Sequence, residues 1–303
     1  MEKYIQTATN ILFDFIKIKQ DDTVLILIDK KNVIADSFSK ALKENNIDTK
    51  KIKITLNRRH SEPIPEVWDH FMWADIIVAP TKNSITHSPQ TIKAAKLGKK
   101  ILSMPSITRE IFLSIENADF EGIEKENKKI LKQVEGKQKV HITTKRGTNL
   151  TFEITKRRWV GLREKRGGFV ANLPNGEVFC APIENSANGK IVMDYWMDEI
   201  NPKSNATLEI KNGKIVKWSR GAKPFINEHK VKNGFIIAEF GIGTNRSHKK
   251  PLGNILYDEK IFKSVHIAFG NNVSFGGKNK SSVHSDMILM KPLVEVNGKK
   301  LKW

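Results

Sequence analysis

The sequence predicts an α/β N-terminal domain with a parallel sheet, followed by a β-rich α+β C-terminal domain. In the first half, apolar runs alternate with amphipathic stretches of helical spacing, which is typical of strands and helices in a parallel sheet. In the second half, the apolar runs become short, strand-like and separated by glycines. We therefore predict a Rossmann-like or flavodoxin-like α/β domain over residues 1–135 and a β-rich domain over residues 136–303.

The elements of the first half follow from their apolar patterns. Residues 1–19 predict a helix because apolar residues recur at helical intervals. The continuous apolar run TVLILID (23–29) is typical of a strand buried on both faces. Helical segments then separate three further predicted strands. These are KKIKITL (50–56), ADIIVAP (74–80) and KILSMP (100–105).

The change of pattern begins with a polar helix predicted over residues 121–135, which Gly136 follows. Beyond it, two Asn-Gly pairs, at 212–213 and 297–298, lie between apolar runs. This dipeptide between alternating apolar segments is typical of a two-residue hairpin turn. The second half is therefore predicted to contain antiparallel strands.

Composition limits the classes of function. The chain of 303 residues has a formal net charge of +19, but its lysines are scattered through nearly every segment. Such scatter indicates a compositional bias, so nucleic acid is not expected as a partner. The single cysteine, Cys180, excludes an intramolecular disulfide and a cysteine-based metal cluster.

Membrane association is not expected either. No stretch reaches the roughly 18 consecutive apolar residues of a membrane span. The N-terminal segment is amphipathic and lacks the apolar core and small-residue cleavage site of a signal peptide. We therefore expect a cytoplasmic protein, and we also expect a homodimer.

Acidic and imidazole side chains lie in or at the ends of strand-like segments of the second half, among mostly apolar neighbours. They are Glu177, Glu239, His266, His284 and Asp286. Burying such groups without a partner costs several kcal/mol or shifts their pKa values. A shared divalent cation is the simplest partner, so the sequence predicts a metal site in the β-rich domain.

The spacing of His284 and Asp286 is the most specific evidence for a metal site in this set. Residues i and i+2 of a strand point to the same face, so both side chains can approach one ion. His266 is expected to point away from Val265 and Ile267 of its own strand. Imidazole and carboxylate ligands suit zinc, cobalt, manganese or iron(II). We predict one or two ions, with zinc or cobalt favoured.

A hydrolytic reaction fits this ligand set. Divalent ions lower the pKa of a bound water towards about 7 and polarise a carbonyl group. Metal-assisted amide hydrolysis is therefore the leading hypothesis, with a peptide or other small molecule as substrate. Glu177 is the candidate catalytic residue, as a general base in place of, or besides, its role as a ligand.

Four sequence blocks resemble the thermophilic metalloaminopeptidase family of aminopeptidase T. The blocks are NLPNGEVFCAP (172–182), AEFGIGTN (238–245), VHIAFG (265–270) and VHSDMI (283–288). The resemblance implies an α/β domain before a β-rich domain that carries two divalent metals, and an activity that removes N-terminal residues from peptides. By motif, the ligands of the family fall on the same set of side chains, Glu177, Glu239, His266, His284 and Asp286.

The chain departs from the family pattern at one position near the metals. The family usually has a tyrosine seven residues after its first histidine, where this chain has Val273. A missing phenol removes a candidate hydrogen-bond donor to the tetrahedral intermediate. The departure weakens the peptidase assignment more than it weakens the metal site.

Two alternative functions remain open. His266, His284 and Asp286 form a 2-His-1-carboxylate set that suits a mononuclear non-haem iron oxygenase, and a dihydroxypyridine ring-cleaving dioxygenase is similar to the peptidase family in its metal-site blocks. The second alternative is a non-enzymatic basic binding protein that keeps a structural metal. Retention of both Glu177 and Glu239 favours the hydrolase.

Overall fold

The computed structural model describes residues 1–55, 62–86, 88–161, 168–196 and 206–303. The chain forms two compact units. The first contains Met1–Phe120 and Arg163–Asn175, and the second contains Glu121–Leu162 and Gly176–Trp303. The domain limits of 1–135 and 136–303 stay a prediction.

The first unit is built on a sheet of five parallel strands in the order β2-β1-β3-β4-β8. The strands are β1 (Val24–Ile28), β2 (Thr49–Lys53), β3 (Ile76–Ala79), β4 (Lys100–Ser103) and β8 (Phe169–Asn172). Four of these strands match predicted strands, and β8 comes from the later part of the chain. Taken in chain order, the arrangement is that of flavodoxin-like sheets.

Helices pack on both faces of this sheet. They are α1 (Glu2–Asn10), which continues as a π-helix (Ile11–Ile16), α2 (Val33–Glu44), α3 (Trp68–Trp73) after a 3₁₀ turn (Pro65–Val67), α4 (Pro89–Lys96) and α5 (Arg109–Ser114). Val24 and Ile26 of β1 share a core with Phe38 of α2. Leu25 and Leu27 share the opposite core with residues of α3 and α4. Alternate burial on both faces confirms the expectation drawn from the apolar run TVLILID.

Two antiparallel sheets make up most of the second unit, together with a long helix, α6 (Phe120–Val134), and the shorter α7 (Lys223–Glu228) and α8 (Ile255–Asp258). A 3₁₀ turn (Arg220–Ala222) precedes α7, and another (Val273–Phe275) lies before the last strands. The sheet of seven strands has the order β13-β12-β10-β6-β5-β17-β18. Its strands are β5 (Lys139–Thr143), β6 (Asn149–Glu153), β10 (Asn188–Val192), β12 (Thr207–Lys211), β13 (Lys214–Trp218), β17 (Leu293–Val296) and β18 (Lys299–Lys300).

The sheet of six strands has the order β11-β16-β15-β14-β9-β7. Its strands are β7 (Trp159–Val160), β9 (Glu177–Cys180), β11 (Tyr195–Trp196), β14 (Ile237–Gly243), β15 (Ser264–Gly270) and β16 (His284–Met290). All its neighbouring strands run antiparallel. The mixed architecture of parallel and antiparallel sheets agrees with the predicted fold class.

Both Asn-Gly pairs form hairpin turns, as the sequence predicts. Asn212 and Gly213 connect β12 to β13 with φ angles of 50° and 73°. Asn297 and Gly298 connect β17 to β18 with φ angles of 48° and 75°. Positive φ at both central residues defines a type I′ turn, whose twist matches that of the flanking strands.

The two antiparallel sheets share one apolar core with helix α6. Phe240 of β14 lies at its centre, with its ring centroid 5.0 Å from that of Phe152 in β6 and 5.7 Å from that of Trp159 in β7. Ile130 and Val134 of α6 belong to the same cluster. This core packs against the apolar face of the six-stranded sheet.

Replacing Phe240 with alanine is expected to lower the free energy of unfolding by about 3–5 kcal/mol, because a buried aromatic ring leaves a cavity. Guanidinium unfolding followed by tryptophan fluorescence measures this change. Phe240→Leu is the control, since it keeps most of the buried volume and should lose clearly less. Equal stability of the alanine variant and the wild type would contradict the central position of Phe240.

Candidate metal centre

Four adjacent strands of the six-stranded sheet carry the predicted site residues. Glu177 lies on β9, Glu239 on β14, His266 on β15, and His284 and Asp286 on β16. The register places Ala268 opposite both Glu239 and Asp286, Gly241 opposite His266, Gly243 opposite Glu177, and Gly270 opposite His284. Directly opposite residues, and residues two apart on a strand, share a face. All the predicted residues therefore point to one face of the sheet.

The other face of the same strands is apolar and packs into the core. It presents Val178, Cys180, Phe240, Ile242, Val265, Ile267, Phe269, Met287 and Leu289. Each strand thus alternates between an apolar side chain, which anchors it, and a polar or small one on the site face. The expectation that His266 points away from Val265 and Ile267 is confirmed.

Small residues leave room for the polar side chains. The imidazole of His266 lies over Gly241, and a Cβ atom at that position would be 1.9 Å from its Nε2. A glycine is required here by close approach, since any other residue would displace the ring.

The structure brings all five predicted residues together. His266 Nε2 lies 3.2 Å from Glu239 Oε1 and 3.5 Å from Glu177 Oε2. His284 Nε2 lies 3.4 Å from Glu239 Oε2 and 3.6 Å from Asp286 Oδ2. Glu239 therefore bridges the two histidines, and Glu177 and Asp286 lie at opposite ends of the cluster.

His284 has the orientation of a metal ligand, whereas Nδ1 of His266 is buried and has no hydrogen-bond partner among the described residues. His284 Nδ1 lies 2.7 Å from the backbone oxygen of Asn271, so a proton on Nδ1 is donated there and Nε2 is directed at the carboxylates. Ligating histidines usually have such a second hydrogen bond. Two buried carboxylate oxygens, Glu177 Oε2 and Asp286 Oδ1, accept no hydrogen bond from described residues. Oxygen atoms of this kind fit a cation.

Two further charged residues complete the cluster, and the sequence reasoning missed both. Glu259 and Lys260 are buried just after α8, and Lys260 is only 1% exposed. Lys260 Nζ lies 2.8 Å from Glu177 Oε1 and is also ion-paired with Glu259 Oε1. Their signal in the sequence was the charged run Asp258–Lys260 shortly before the strand of His266. They were missed because they lie on a link between elements, where charged residues are usually solvated.

Ligand atoms form two overlapping groups in the described part of the chain. One group is Glu239, His266 and Asp286, and the other is Glu177, Glu259 and His266, with the ligand atoms of each group within 4.8 Å of one another. The two groups meet at His266. The arrangement thus offers two neighbouring cation positions on one sheet face.

The histidines hold protons strongly when only protein surrounds them. Burial opposes the charged form of His266, but its hydrogen bond to Glu239 and the charge of Glu177 raise its pKa to about 9. Burial acts likewise on His284, and the charges of Asp286 and Glu239 raise its pKa to about 10. Because an ion binds the neutral imidazole, the same negative field that attracts these protons would attract a metal.

The pKa values of the carboxylates shift in opposite directions. Burial works to raise the pKa of Glu239, but the hydrogen bonds to His266 and His284 hold it well below its usual value. Burial raises the pKa of Glu259 to about 8 and also raises that of Asp286. Burial opposes the charge of Lys260, yet the carboxylates of Glu177 and Glu259 raise its pKa. The carboxylates are therefore held beside protonated histidines and Lys260, and a metal ion would have to replace the histidine protons.

Val273, which stands at the position of the family tyrosine, lies in the 3₁₀ turn before β16 and is 52% exposed. An aromatic residue of the same turn lies against the cluster instead. The ring centroid of Phe275 is 5.9 Å from that of His284 and 5.5 Å from that of Phe179. An apolar ring therefore borders this part of the site.

Comparison with known families matches residues 19–302 to the thermophilic metalloprotease family, M29. The chain belongs to this family. The resemblance inferred from the four sequence blocks is thereby confirmed. Membership makes the chain one of a family of metal-dependent peptidases and implies a divalent metal ion and a peptide substrate.

Two solved structures are similar along nearly the whole chain. The 2,5-dihydroxypyridine dioxygenase of Pseudomonas putida KT2440 is 17% identical, with a TM-score of 0.82 over 98% of this chain and 94% of that one. AmpT of Thermus thermophilus is 14% identical, with a TM-score of 0.69 over 99% of this chain and 96% of that one. At these low identities, the similarity shows that the fold is shared and nothing more. No curated protein matches the chain.

None of the described helices combines the length and the apolar character that a membrane-spanning segment needs.

Replacing Gly241 with alanine is expected to displace the His266 ring and weaken the binding of Zn²⁺ by at least about 10-fold, since disturbing the support of a ligand has that effect. Titration calorimetry on metal-free protein measures the affinity. The matched control is a double-mutant cycle with His266→Ala. In the background without the ring, the added methyl group should cost nothing further; an equal loss in both backgrounds would contradict the steric explanation.

Proposed function

We propose that this chain is a metal-dependent aminopeptidase-like hydrolase that removes N-terminal residues from peptides by means of a metal-activated water. The observation that carries the proposal is the cluster of imidazoles and carboxylates on one face of the six-stranded sheet. His266, His284, Glu239 and Asp286 meet there within ion-pair distance. Membership of a metalloprotease family supports the same conclusion.

We propose that Glu177, Glu239, His266, His284 and Asp286 form the metal site, with Glu177 as either a ligand or the general base. Nitrogen and carboxylate oxygen donors suit zinc or cobalt best, with manganese and iron(II) as further options. Two buried carboxylate oxygens without a hydrogen-bond donor support the assignment. When bound, the ion would polarise the scissile carbonyl and lower the pKa of a water molecule.

Glu177 is the proposed general base. Its Oε1 atom is held by Lys260, whereas its Oε2 atom is buried and accepts no hydrogen bond from described residues. A carboxylate oxygen fixed in this way can accept a proton from a water molecule and later pass it to the leaving amine. Lys260 would keep Glu177 in the orientation that this transfer requires.

The charge of the site supports specificity for the amino end of a peptide. Four carboxylates, those of Glu177, Glu239, Glu259 and Asp286, face one buried ammonium group, that of Lys260. The carboxylates outnumber the ammonium group, so a carboxylate oxygen that does not bind the metal can accept a hydrogen bond from a positively charged group. A free α-ammonium group would therefore be attracted to the site, and an acylated one would not.

One structural observation favours a second candidate, a ring-cleaving dioxygenase. The more similar of the two solved structures is a 2,5-dihydroxypyridine dioxygenase, and His266, His284 and Asp286 could hold iron(II) as two histidines and a carboxylate. The close approach of Glu239 to both histidines favours the hydrolase, since the oxygenase set leaves no role for a second carboxylate. The cytoplasmic location and the homodimer remain predictions.

Replacing His284 with alanine is expected to reduce metal content and peptidase activity together by at least about 100-fold, the upper range for residues that merely support a ligand. Elemental analysis of purified protein and hydrolysis of aminoacyl anilides measure the two quantities. His141→Ala is the matched control, because this histidine lies on the seven-stranded sheet and pairs with Glu295. Wild-type metal content in the His284 variant would refute the ligand assignment.

The zinc- or cobalt-loaded protein is expected to hydrolyse peptides with a free amino terminus and to leave their N-acetylated forms intact. Removal of the metal with a chelator should abolish the activity, and added metal should restore it. The dioxygenase candidate predicts a different result. Oxygen uptake with a dihydroxypyridine by the iron(II)-loaded protein, without peptide hydrolysis, would replace the peptidase assignment.

A further inference from the structure

Lys260 occupies a position that a metal ion would otherwise take. Its Nζ atom lies 2.8 Å from Glu177 Oε1 and is ion-paired with Glu259 Oε1. Glu177 and Glu259, with His266, are also the members of one of the two groups of potential ligands. The ammonium group therefore lies between the carboxylates that a second ion would need.

The lysine is fixed in this position. Its backbone N–H donates to the backbone oxygen of Tyr257, and its backbone oxygen accepts from the N–H of Asn245. The whole residue is 1% exposed. An ammonium group buried to this extent needs acceptors close by, and Glu177 and Glu259 provide them. Moving the side chain away would leave the buried residues Lys260 and Glu259 without their ion-pair partners.

A metal ion and the Lys260 ammonium exclude each other at this position. Carboxylate oxygens approach zinc to about 2.0–2.2 Å, so an ion bound to Glu177 and Glu259 would lie against Nζ. Two positive charges at such a distance in a buried site repel strongly. A fully protonated lysine has no lone pair with which to coordinate the ion.

The other group of ligands contains no ammonium group among the described residues. Glu239, His266 and Asp286 form it, and His284 Nε2 lies 3.4 Å from Glu239 and 3.6 Å from Asp286. The ion pairs of Lys260 in the described part of the chain are with Glu177 and Glu259. One cation position is therefore open to a metal while the neighbouring one is filled by the protein.

We propose that the Lys260 ammonium replaces the second metal ion of the site, so that the chain binds a single divalent ion on Glu239, His266, His284 and Asp286. Lys260 is then a positioning residue that holds Glu177 as a base and prevents it from acting as a ligand. The inference rests on the proposed function, since it presupposes a metal site.

The test measures the number of Zn²⁺ ions bound per chain. Metal-free protein is equilibrated with excess Zn²⁺, freed of unbound metal and measured by elemental analysis. We expect one ion per chain for the wild type and two for Lys260→Met, which has a similar volume but no charge. Lys260→Arg keeps the charge and should stay at one ion. Lys249→Ala, an exposed lysine outside the cluster, is the control for an unspecific change of charge.

A second measurement on the wild type alone guards against a variant that fails to fold. Protein loaded with Mn²⁺ is expected to give the electron paramagnetic resonance signal of an isolated ion, and two neighbouring ions would give a spin-coupled signal.

The outcomes separate the inference from the proposed function. Two ions per wild-type chain, or a coupled manganese signal, would overturn the role of Lys260 and leave the metallohydrolase intact. A single ion in folded Lys260→Met would also overturn it. No bound metal in the wild type would refute the proposed function itself, together with the inference.

Discussion

The burial of several carboxylates and imidazoles on one sheet face is the constraint on which the rest of the site depends. Charged groups removed from water cost several kcal/mol each unless opposite charges replace the lost hydration. Glu239 meets this requirement through two histidines, and Glu177 meets it through Lys260. Without a metal, protons on the two histidines supply the positive charge that the carboxylates need. A divalent ion that replaced those protons would supply the same charge.

The sheet supplies the geometry because of the alternation of side chains along its strands. Phe240 is buried in the core, while its neighbours Glu239 and Gly241 lie on the opposite face. Close packing of the apolar side chains holds each strand in place. The polar side chains on the other face of the strand are therefore held in fixed positions as well. Glycine and alanine at the intervening positions leave the space that the ring of His266 and the carboxylates occupy. The alternation of apolar and polar side chains along each strand therefore produces both the packed core and the cluster of polar side chains.

Similar folds carry different chemistry in the two solved structures, since a dioxygenase and AmpT both match this chain along nearly its whole length. A fold by itself does not decide a reaction. What distinguishes the possibilities is the set of side chains on the site face and the charge around it. In this chain, Glu177, Glu259 and Lys260 add an acidic pair and an ammonium group to the two histidines. Under our proposal, these residues set the number of bound ions and hold the base that transfers protons.

The sequence by itself determined the elements whose signals are local. The apolar run of β1 predicted a strand buried on both faces, the Asn-Gly pairs predicted two hairpins, and the His284–Asp286 spacing predicted a shared face. Each of these depends on the period of a strand or on the φ angles of a turn, and both are properties of neighbouring residues. Family membership followed from the same short blocks. The sequence also named five of the charged residues that cluster, because they stood out among apolar neighbours.

Only the tertiary structure decided which distant residues meet. β8 joins the parallel sheet of the first unit although it follows strands of the second, and helix α6 packs in the core of the second unit. Lys260 and Glu259 lie on a link between a helix and a strand, where a charge is ordinarily solvated and gives no local signal. Their burial against Glu177 depends on the pairing of β9, β14 and β15, which brings residues more than 80 positions apart into contact. Long-range strand pairing is not encoded in any local period of the sequence. The position of the Lys260 ammonium group in the site could therefore be recognised only from the tertiary structure.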